Sequence, residues 1–291
     1  MSDHGPDAAT PRTVVLTGGN AGIGRATAEE LARRGDRVVL GCRNPASAES
    51  AVADLRSRTG STAIEWRPLD LADLSSVRTF AESLRDLDRI DVLVANAGLV
   101  LDRPQRTAQG VEATFGTNHL GHYLLTDLLA DQLLAAGRAR VVVVASLAHG
   151  AAAGGIRWDR LERDGRYSTW RAYGESKLAN ILPAEALTRR FAGTGVVANS
   201  LHPGGVRTGF ARDGDTSGLT ARLVELGSFA LISPEEGART PVFLATDEGA
   251  GRISGRYWYR CRRSRVLPWT RRTGDVEELV RRSDELVARL G

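Results

Sequence analysis

Short β-branched runs alternate with helical patterns along the whole chain, which predicts an α/β protein with a single doubly wound parallel sheet and helices on both faces. Three observations carry that prediction. About seven apolar runs of strand length recur at intervals, amphipathic stretches separate them, and no linker or shift of composition divides the 291 residues. One domain over 12–291 follows. The preceding segment, 1–11, contains Gly5, Pro6 and Pro11 and no apolar stretch, so it reads as a disordered tail and not as a signal peptide.

Composition excludes several classes of function. Apolar residues make up 42% and charged residues 25%, ordinary for a soluble globular protein. The net charge is +4, yet arginines face acids on helical stretches, as Arg33 and Arg34 face Glu29 and Glu30. No basic run is interleaved with aromatics, so a nucleic-acid partner is not expected. No apolar run reaches the ~18 residues that a membrane span needs. Cys42 and Cys261 define neither a disulfide framework nor a metal cluster, and a reducing cytoplasm is the expected compartment. His119 and His122 lack acidic or thiol partners at ligand spacing, so they read as packing residues and no metal is expected.

The first strand, Thr13–Thr17, ends in Gly18-Gly19-Asn20-Ala21-Gly22-Ile23-Gly24, and a helical pattern with Ala26, Ala28, Leu31 and Ala32 follows at once. In that setting glycines let the backbone approach a pyrophosphate, and the helix N terminus offers free N–H groups. The second strand, Arg37–Arg43, ends without the acid that would bind a ribose 2′-hydroxyl. Arg43, followed by Asn44, suits a 2′-phosphate instead, so NADP is preferred to NAD.

A helix over about 46–57 leads to the third strand, 63–67, and to Asp70-Leu71; another helix covers about 74–87. The fourth strand, 90–94, runs into Ala95-Asn96-Ala97-Gly98, whose small side chains leave room for a ligand at the carboxyl end of the sheet. A long helix over about 110–136 contains Asn118. The four-valine fifth strand, 140–145, reads as buried on both faces and ends at Ser146.

After a loop-like stretch, a helix over about 169–191 carries Tyr173-Gly174-Glu175-Ser176-Lys177. Four-residue spacing puts the phenol and the ammonium on one face. Lys177 is the only lysine among 39 basic residues, at a place where a compact cation beside a phenol would pull its pKa down and make Tyr173 a general acid/base. Pro183 should kink this helix beyond Lys177. The sixth strand, 196–201, precedes His202-Pro203-Gly204-Gly205-Val206-Arg207-Thr208, and 205–232 reads as a lid over the substrate. A helix capped by Ser233 (234–246), a last strand (255–259), a surface arginine cluster (260–265) and an amphipathic helix (276–290) complete the chain.

Taken together, Thr17–Gly24, Asp70-Leu71, Asn96-Ala97-Gly98, Asn118, Ser146, Tyr173/Lys177 and Pro203-Gly204 resemble the short-chain dehydrogenase/reductase family in its non-extended branch. Asn118–His122, Ser146–His149, Ser176–Asn180 and Leu201–Gly204 are similar to the retinol-dehydrogenase-like group, which includes relatives of protochlorophyllide reductase and the WW-domain oxidoreductase. The resemblance implies a Rossmann sheet of order 3-2-1-4-5-6-7 and an NADP(H)-dependent interconversion of carbonyl and alcohol on a lipophilic small molecule.

It also implies roles. Tyr173 would move the proton, Lys177 would bind the nicotinamide ribose and hold the tyrosine pKa down, Ser146 would bind the substrate oxygen, and Asn118 would hold a relay water. Gly18, Asn20, Gly22, Ile23 and Gly24 would wrap the pyrophosphate, while Asp70 and Leu71 would meet the adenine. Asn96, Ala97 and Gly98 would line the adenosine ribose; Pro203, Gly204, Val206 and Thr208 would contact the nicotinamide and its phosphate. Pairing of the Asn118 and Tyr173 helices with their copies would give a homodimer or homotetramer. Two departures stand out: Ala95 replaces a frequent asparagine, and 27 residues separate Ser146 from Tyr173. A catalytically idle NADP-binding regulator is the alternative, but it would need none of Ser146, Tyr173 and Lys177. Sugar-nucleotide epimerisation fits the glycine spacing poorly.

Overall fold

The computed structural model describes residues 11–162, 166–205, 232–270 and 272–290. Eight strands form one sheet of order β3-β2-β1-β4-β5-β6-β7-β8. They are β1 (Thr13–Thr17), β2 (Arg37–Cys42), β3 (Ile64–Pro68), β4 (Val92–Ala95), β5 (Arg140–Val144), β6 (Val197–Leu201), β7 (Tyr257–Tyr259) and β8 (Arg262–Ser264). The first seven pair in parallel, in the expected order.

The eighth strand corrects the expectation of seven. β8 pairs antiparallel with β7 through a turn at Arg260 and Cys261, both at positive φ (48° and 58°). Its arginines disguised it as surface, although charged side chains suit an edge strand because they discourage pairing with another chain.

Side chains alternate across the sheet and so build two cores. Val15, Val39, Leu93, Val141 and Val143 pack to one face and Val14, Leu16, Val38, Leu40, Val92, Val94, Val142 and Val144 to the other. The second face is covered by α1 (Gly22–Arg33), α2 (Pro45–Thr59) and, late in the chain, α9 (Pro234–Thr246), whose N-cap Ser233 accepts from Glu236 N as expected. The first face carries α3 (Leu74–Ser83) and the helices that hold the candidate catalytic residues.

The predicted helix over 110–136 is in fact broken. It starts as a single turn, α4 (Ala113–Phe115), widens into a π turn over Gly116–Leu120, and returns to α-helix in α5 (Gly121–Leu128) and α6 (Ala130–Ala135). In the π turn Gly121 N–H reaches back five residues to Gly116 O. Such turns concentrate at functional sites, and Asn118 lies in this one.

The Tyr173 helix is likewise divided, into α7 (Thr169–Ile181) and α8 (Pro183–Arg190). Pro183, which has no N–H to donate, opens α8 as its first residue, while Leu182 before it keeps helical angles (φ −61°, ψ −37°).

The last helix, α10 (Asp275–Leu290), lays Val276, Leu279 and Leu286 into the first core. It is bonded to the elements beneath it by His119 Nε2 with Ser283 Oγ (3.0 Å), by Tyr123 Oη to Asp284 (2.6 Å) and by Arg189 to Glu277 (2.5 Å). These contacts set α10 against the π turn, α5 and α8. Residues 1–10 of the expected tail and 206–231 of the expected lid lie outside the described residues.

Candidate active site

The carboxyl ends of β1, β4, β5 and β6 meet in register, with Leu16 beside Val94, Ala95 beside Val143 and Val144 beside Leu201. Each chain segment that leaves these ends brings one part of the site.

β1 opens into the glycine turn. Gly18 and Gly22 take positive φ (69° and 53°), which glycine adopts without strain. A Cβ on Gly24 would run into Gly18 O and the Asn96 amide, so the backbone there passes too closely for any side chain. The N terminus of α1 has no side-chain cap and no acid in its first turn. Its N–H groups stay available to an anion. Ile23 is buried beneath the turn, and Asn20 Nδ2 donates to Ser47 Oγ at 2.9 Å.

At the end of β2 Arg43 is exposed, and no acidic residue pairs with it among the described residues. Asn44 turns instead to capping α2, accepting from Ser47 N at 3.0 Å. Beyond β3, Asp70 accepts from Ala72 N (2.9 Å) and Leu71 is buried.

β4 delivers Asn96, Ala97 and Gly98. Asn96 Nδ2 donates to Thr17 O (2.9 Å), and the amides of Asn96 and Ala97 both donate to Thr17 Oγ1 at 3.0 Å. The end of β4 is thus tied to the glycine turn. A Cβ on Gly98 would lie 3.1 Å from both Asn118 Oδ1 and Lys177 Nζ, so Gly98 is where the glycine cradle touches the candidate catalytic groups.

The four residues expected to be catalytic do converge. Burial raises the Tyr173 phenol pKa to about 12, against a lowering by its hydrogen bond from the Ser146 side chain. Lys177 Nζ stands 5.5 Å from the Tyr173 ring centroid and donates to Val144 O at 3.2 Å. Asn118 is fully buried; its Nδ2 donates to Leu99 O (2.9 Å) and Ser176 Oγ (3.0 Å), and its Oδ1 accepts from Leu99 N (2.7 Å).

One expectation is corrected here. Lys177 was expected to acidify Tyr173, but the phenol goes up, because desolvation disfavours the phenolate more than any nearby group favours it. Lys177 itself is drawn down to about 8 by burial. The Asn118 side chain bonds Leu99 and Ser176 and so positions the loop beside Gly98.

The sequence reading missed the residues that hold these four. Ser176 Oγ donates to Tyr173 O (2.8 Å), and Asn180 Nδ2 donates to Val144 O (3.2 Å), the carbonyl that Lys177 uses. Helical spacing of three, from Tyr173 to Ser176 and from Lys177 to Asn180, was the signal available for both. His149 Nδ1 donates to Ser146 O (2.8 Å) and its Nε2 accepts from Leu267 N (3.2 Å), which anchors the serine loop to the C-terminal segment. His202 stacks on Tyr259 at 4.0 Å, just before Pro203 and Gly204, the latter at φ 106°. Val206 and Thr208 lie outside the described residues. No group of three or more potential metal ligands occurs among the described residues.

The cradle closed to side chains, the uncapped helix, the exposed arginine and the serine–tyrosine–lysine cluster together fit a nicotinamide dinucleotide. Comparison with known proteins agrees. Residues 12–158 match the family model of the short chain dehydrogenases. Human retinol dehydrogenase 12 is 41% identical over 277 residues, 95% of this chain and 86% of that protein. The crystal structure of an uncharacterized protein from Mycobacterium Paratuberculosis matches with a TM-score of 0.74 and 35% identity, covering 97% of this chain and 96% of that one. A protein from Beutenbergia cavernae, described as an NAD(P) dependent gluconate 5-dehydrogenase with NADP at low occupancy, matches at a TM-score of 0.66 and 31% identity over 87% of this chain and 96% of its own. The chain belongs to the short-chain dehydrogenase family, in its retinol-dehydrogenase-like group.

Proposed function

We propose that the protein is an NADP(H)-dependent oxidoreductase that interconverts a carbonyl and an alcohol on a lipophilic small molecule. The observation that carries this reading is the convergence of Ser146, Tyr173 and Lys177 at Gly98, where the catalytic groups adjoin the dinucleotide cradle.

The nicotinamide supplies or accepts the hydride, and this chain supplies position and a proton. Gly18, Asn20, Gly22, Ile23 and Gly24 would hold the pyrophosphate, Asp70 and Leu71 the adenine, Asn96 to Gly98 the adenosine ribose, and Pro203, Gly204, Val206 and Thr208 the nicotinamide end. Arg43, exposed and without an acidic partner among the described residues, would meet the 2′-phosphate, which is why NADP is favoured over NAD. With its pKa near 12 the Tyr173 phenol keeps its proton at neutral pH, the form that donates to a carbonyl oxygen in reduction. Ser146 Oγ would donate to the same oxygen and orient it. Lys177, charged below about pH 8, places a cation beside the developing phenolate.

A lipophilic substrate follows from likeness to proteins named retinol dehydrogenases. Two free thiols, one of them buried Cys42, accord with action in a reducing compartment. The test is absorbance at 340 nm with NADPH and a panel of lipophilic aldehydes and ketones. Turnover that disappears in Tyr173→Phe supports the reading. A panel with no turnover, from protein that binds neither dinucleotide, overturns it.

A further inference from the structure

His122 lies on α5, one turn beyond Asn118, and is 4% exposed. Its Nδ1 is 3.0 Å from Asn118 O, and its Nε2 is 2.8 Å from Thr17 Oγ1. A carbonyl oxygen can only accept, so Nδ1 carries the hydrogen. Burial, opposed by that bond to Asn118, lowers the ring pKa to about 4, and the ring is neutral at working pH. Nε2 therefore holds a lone pair, and Thr17 Oγ1 donates to it.

The same hydroxyl oxygen already accepts the amides of Asn96 and Ala97, each at 3.0 Å. Its two acceptor positions are filled, and its single proton needs a partner. The other oxygen in reach, Val94 O, is 3.5 Å away, at the outer limit of a hydrogen bond. His122 is the acceptor that fixes the Thr17 hydroxyl in the orientation that receives both amides.

We infer that His122 is a positioning residue that joins the glycine turn to the Asn118 turn, so that the dinucleotide cradle and the catalytic groups are set by one buried chain of hydrogen bonds. From one ring nitrogen the chain runs through Thr17 to Asn96 and Ala97, and Asn96 grips Thr17 O at 2.9 Å. From the other it runs to Asn118, whose amide holds both backbone groups of Leu99, one residue past Gly98. Both arms therefore close on the 96–99 segment, from opposite sides. The three side chains that join the arms, Thr17, Asn118 and His122, are all buried, where water cannot stand in for a lost partner. Loss of the ring acceptor leaves a buried donor unmet, a penalty that falls on the cradle and not on His122 alone.

The inference rests on the proposed dinucleotide site, and its test separates the two. In His122→Phe, which keeps a ring but loses both nitrogens, affinity for NADPH, read by nucleotide fluorescence, should weaken about tenfold. Amide hydrogen exchange at Asn96 and Ala97 in the ligand-free protein should accelerate by a similar factor. His122→Gln restores an acceptor near the Nε2 position and should recover affinity and protection; His122→Asn, which reaches only the Nδ1 position, should not. Thr17→Val should match His122→Phe, and the double variant should be no worse than either single one. Unchanged exchange and affinity in folded His122→Phe, or losses that simply add in the double variant, would overturn the inference. If the wild type bound neither dinucleotide, the proposed function would fall, while the exchange rates would still decide whether His122 is the joint.

Discussion

Lys177 and Asn180 donate to one acceptor, Val144 O, each at 3.2 Å. The carbonyl at the end of β5 thus holds the ammonium in a fixed place, one helical turn from Tyr173, and Ser146 follows two residues later on the same strand exit. The shared acceptor holds the lysine near the phenol, while burial raises the phenol's pKa and draws the lysine's own pKa to about 8.

The pH dependence of reduction follows. kcat/KM reports the free enzyme, in which the ammonium is lost as pH rises through about 8. The reductive kcat/KM should fall above that pH, and the descending limb should vanish in Lys177→Ala at a much lower plateau. Lys177→Arg should not restore activity, since a planar guanidinium cannot replace a compact ammonium in that space. A flat profile up to pH 10 would contradict this.

Tyr173→Phe removes the proton donor and little volume. kcat should drop by about 10²–10⁴, the range of general acid catalysis, while NADPH affinity and folding are retained. The check is single-turnover kinetics alongside nucleotide fluorescence. Ser146→Ala should lose less, because the phenol keeps its proton without the serine.

Arg43→Glu places an acid at the end of β2. NADPH affinity should weaken by tenfold or more through loss of a charge-assisted contact and gain of a repulsion, while NADH affinity holds or improves. Comparison of the two dissociation constants checks this. An equal loss for both cofactors would show that Arg43 does not read the 2′-phosphate.

Acid should destabilise the fold early. His119, His122 and His202 are buried, with pKa values lowered by burial to about 3, about 4 and about 4. Between these values and the ordinary 6.5 the unfolded chain binds protons that the folded one does not. Stability therefore rises with pH up to about 6.5 and is lost as pH falls below it. Each histidine contributes a slope of about 1.4 kcal/mol per pH unit within that window. Urea titrations between pH 4.5 and 7.5 should show it, with a shallower slope in His119→Gln.

Leu279→Ala, at a fully buried position of α10, should cost about 2–5 kcal/mol in urea unfolding. Because α10 also holds the π turn through Ser283 and His119, the variant should lose turnover in proportion to its folded fraction and a little beyond.

Much of the fold was legible in the linear chain. β-branched runs and glycine punctuation gave seven of the eight strands and their order, because hydrophobic period and parallel crossovers are local and directional constraints. The Tyr173–Lys177 pair was legible too, since its shared face follows from helix geometry alone, whereas Ser146 and Asn118 entered as candidates only through the family resemblance. What the sequence could not disclose were contacts made across the fold. β8 was hidden by its arginines, whose edge role appears only beside β7. The π turn at Asn118 is one extra residue in a helix whose apolar pattern continues through it. The direction of the Tyr173 shift depended on how deeply the site is buried, a property of packing and not of spacing. His122 read as packing because nothing in a run of residues reveals that Thr17, 105 positions earlier, needs its lone pair. The sequence determined which groups are present and which neighbours share a face; tertiary structure decided their solvation and their partners, because desolvation and hydrogen-bond satisfaction are set by the atoms that finally surround each group.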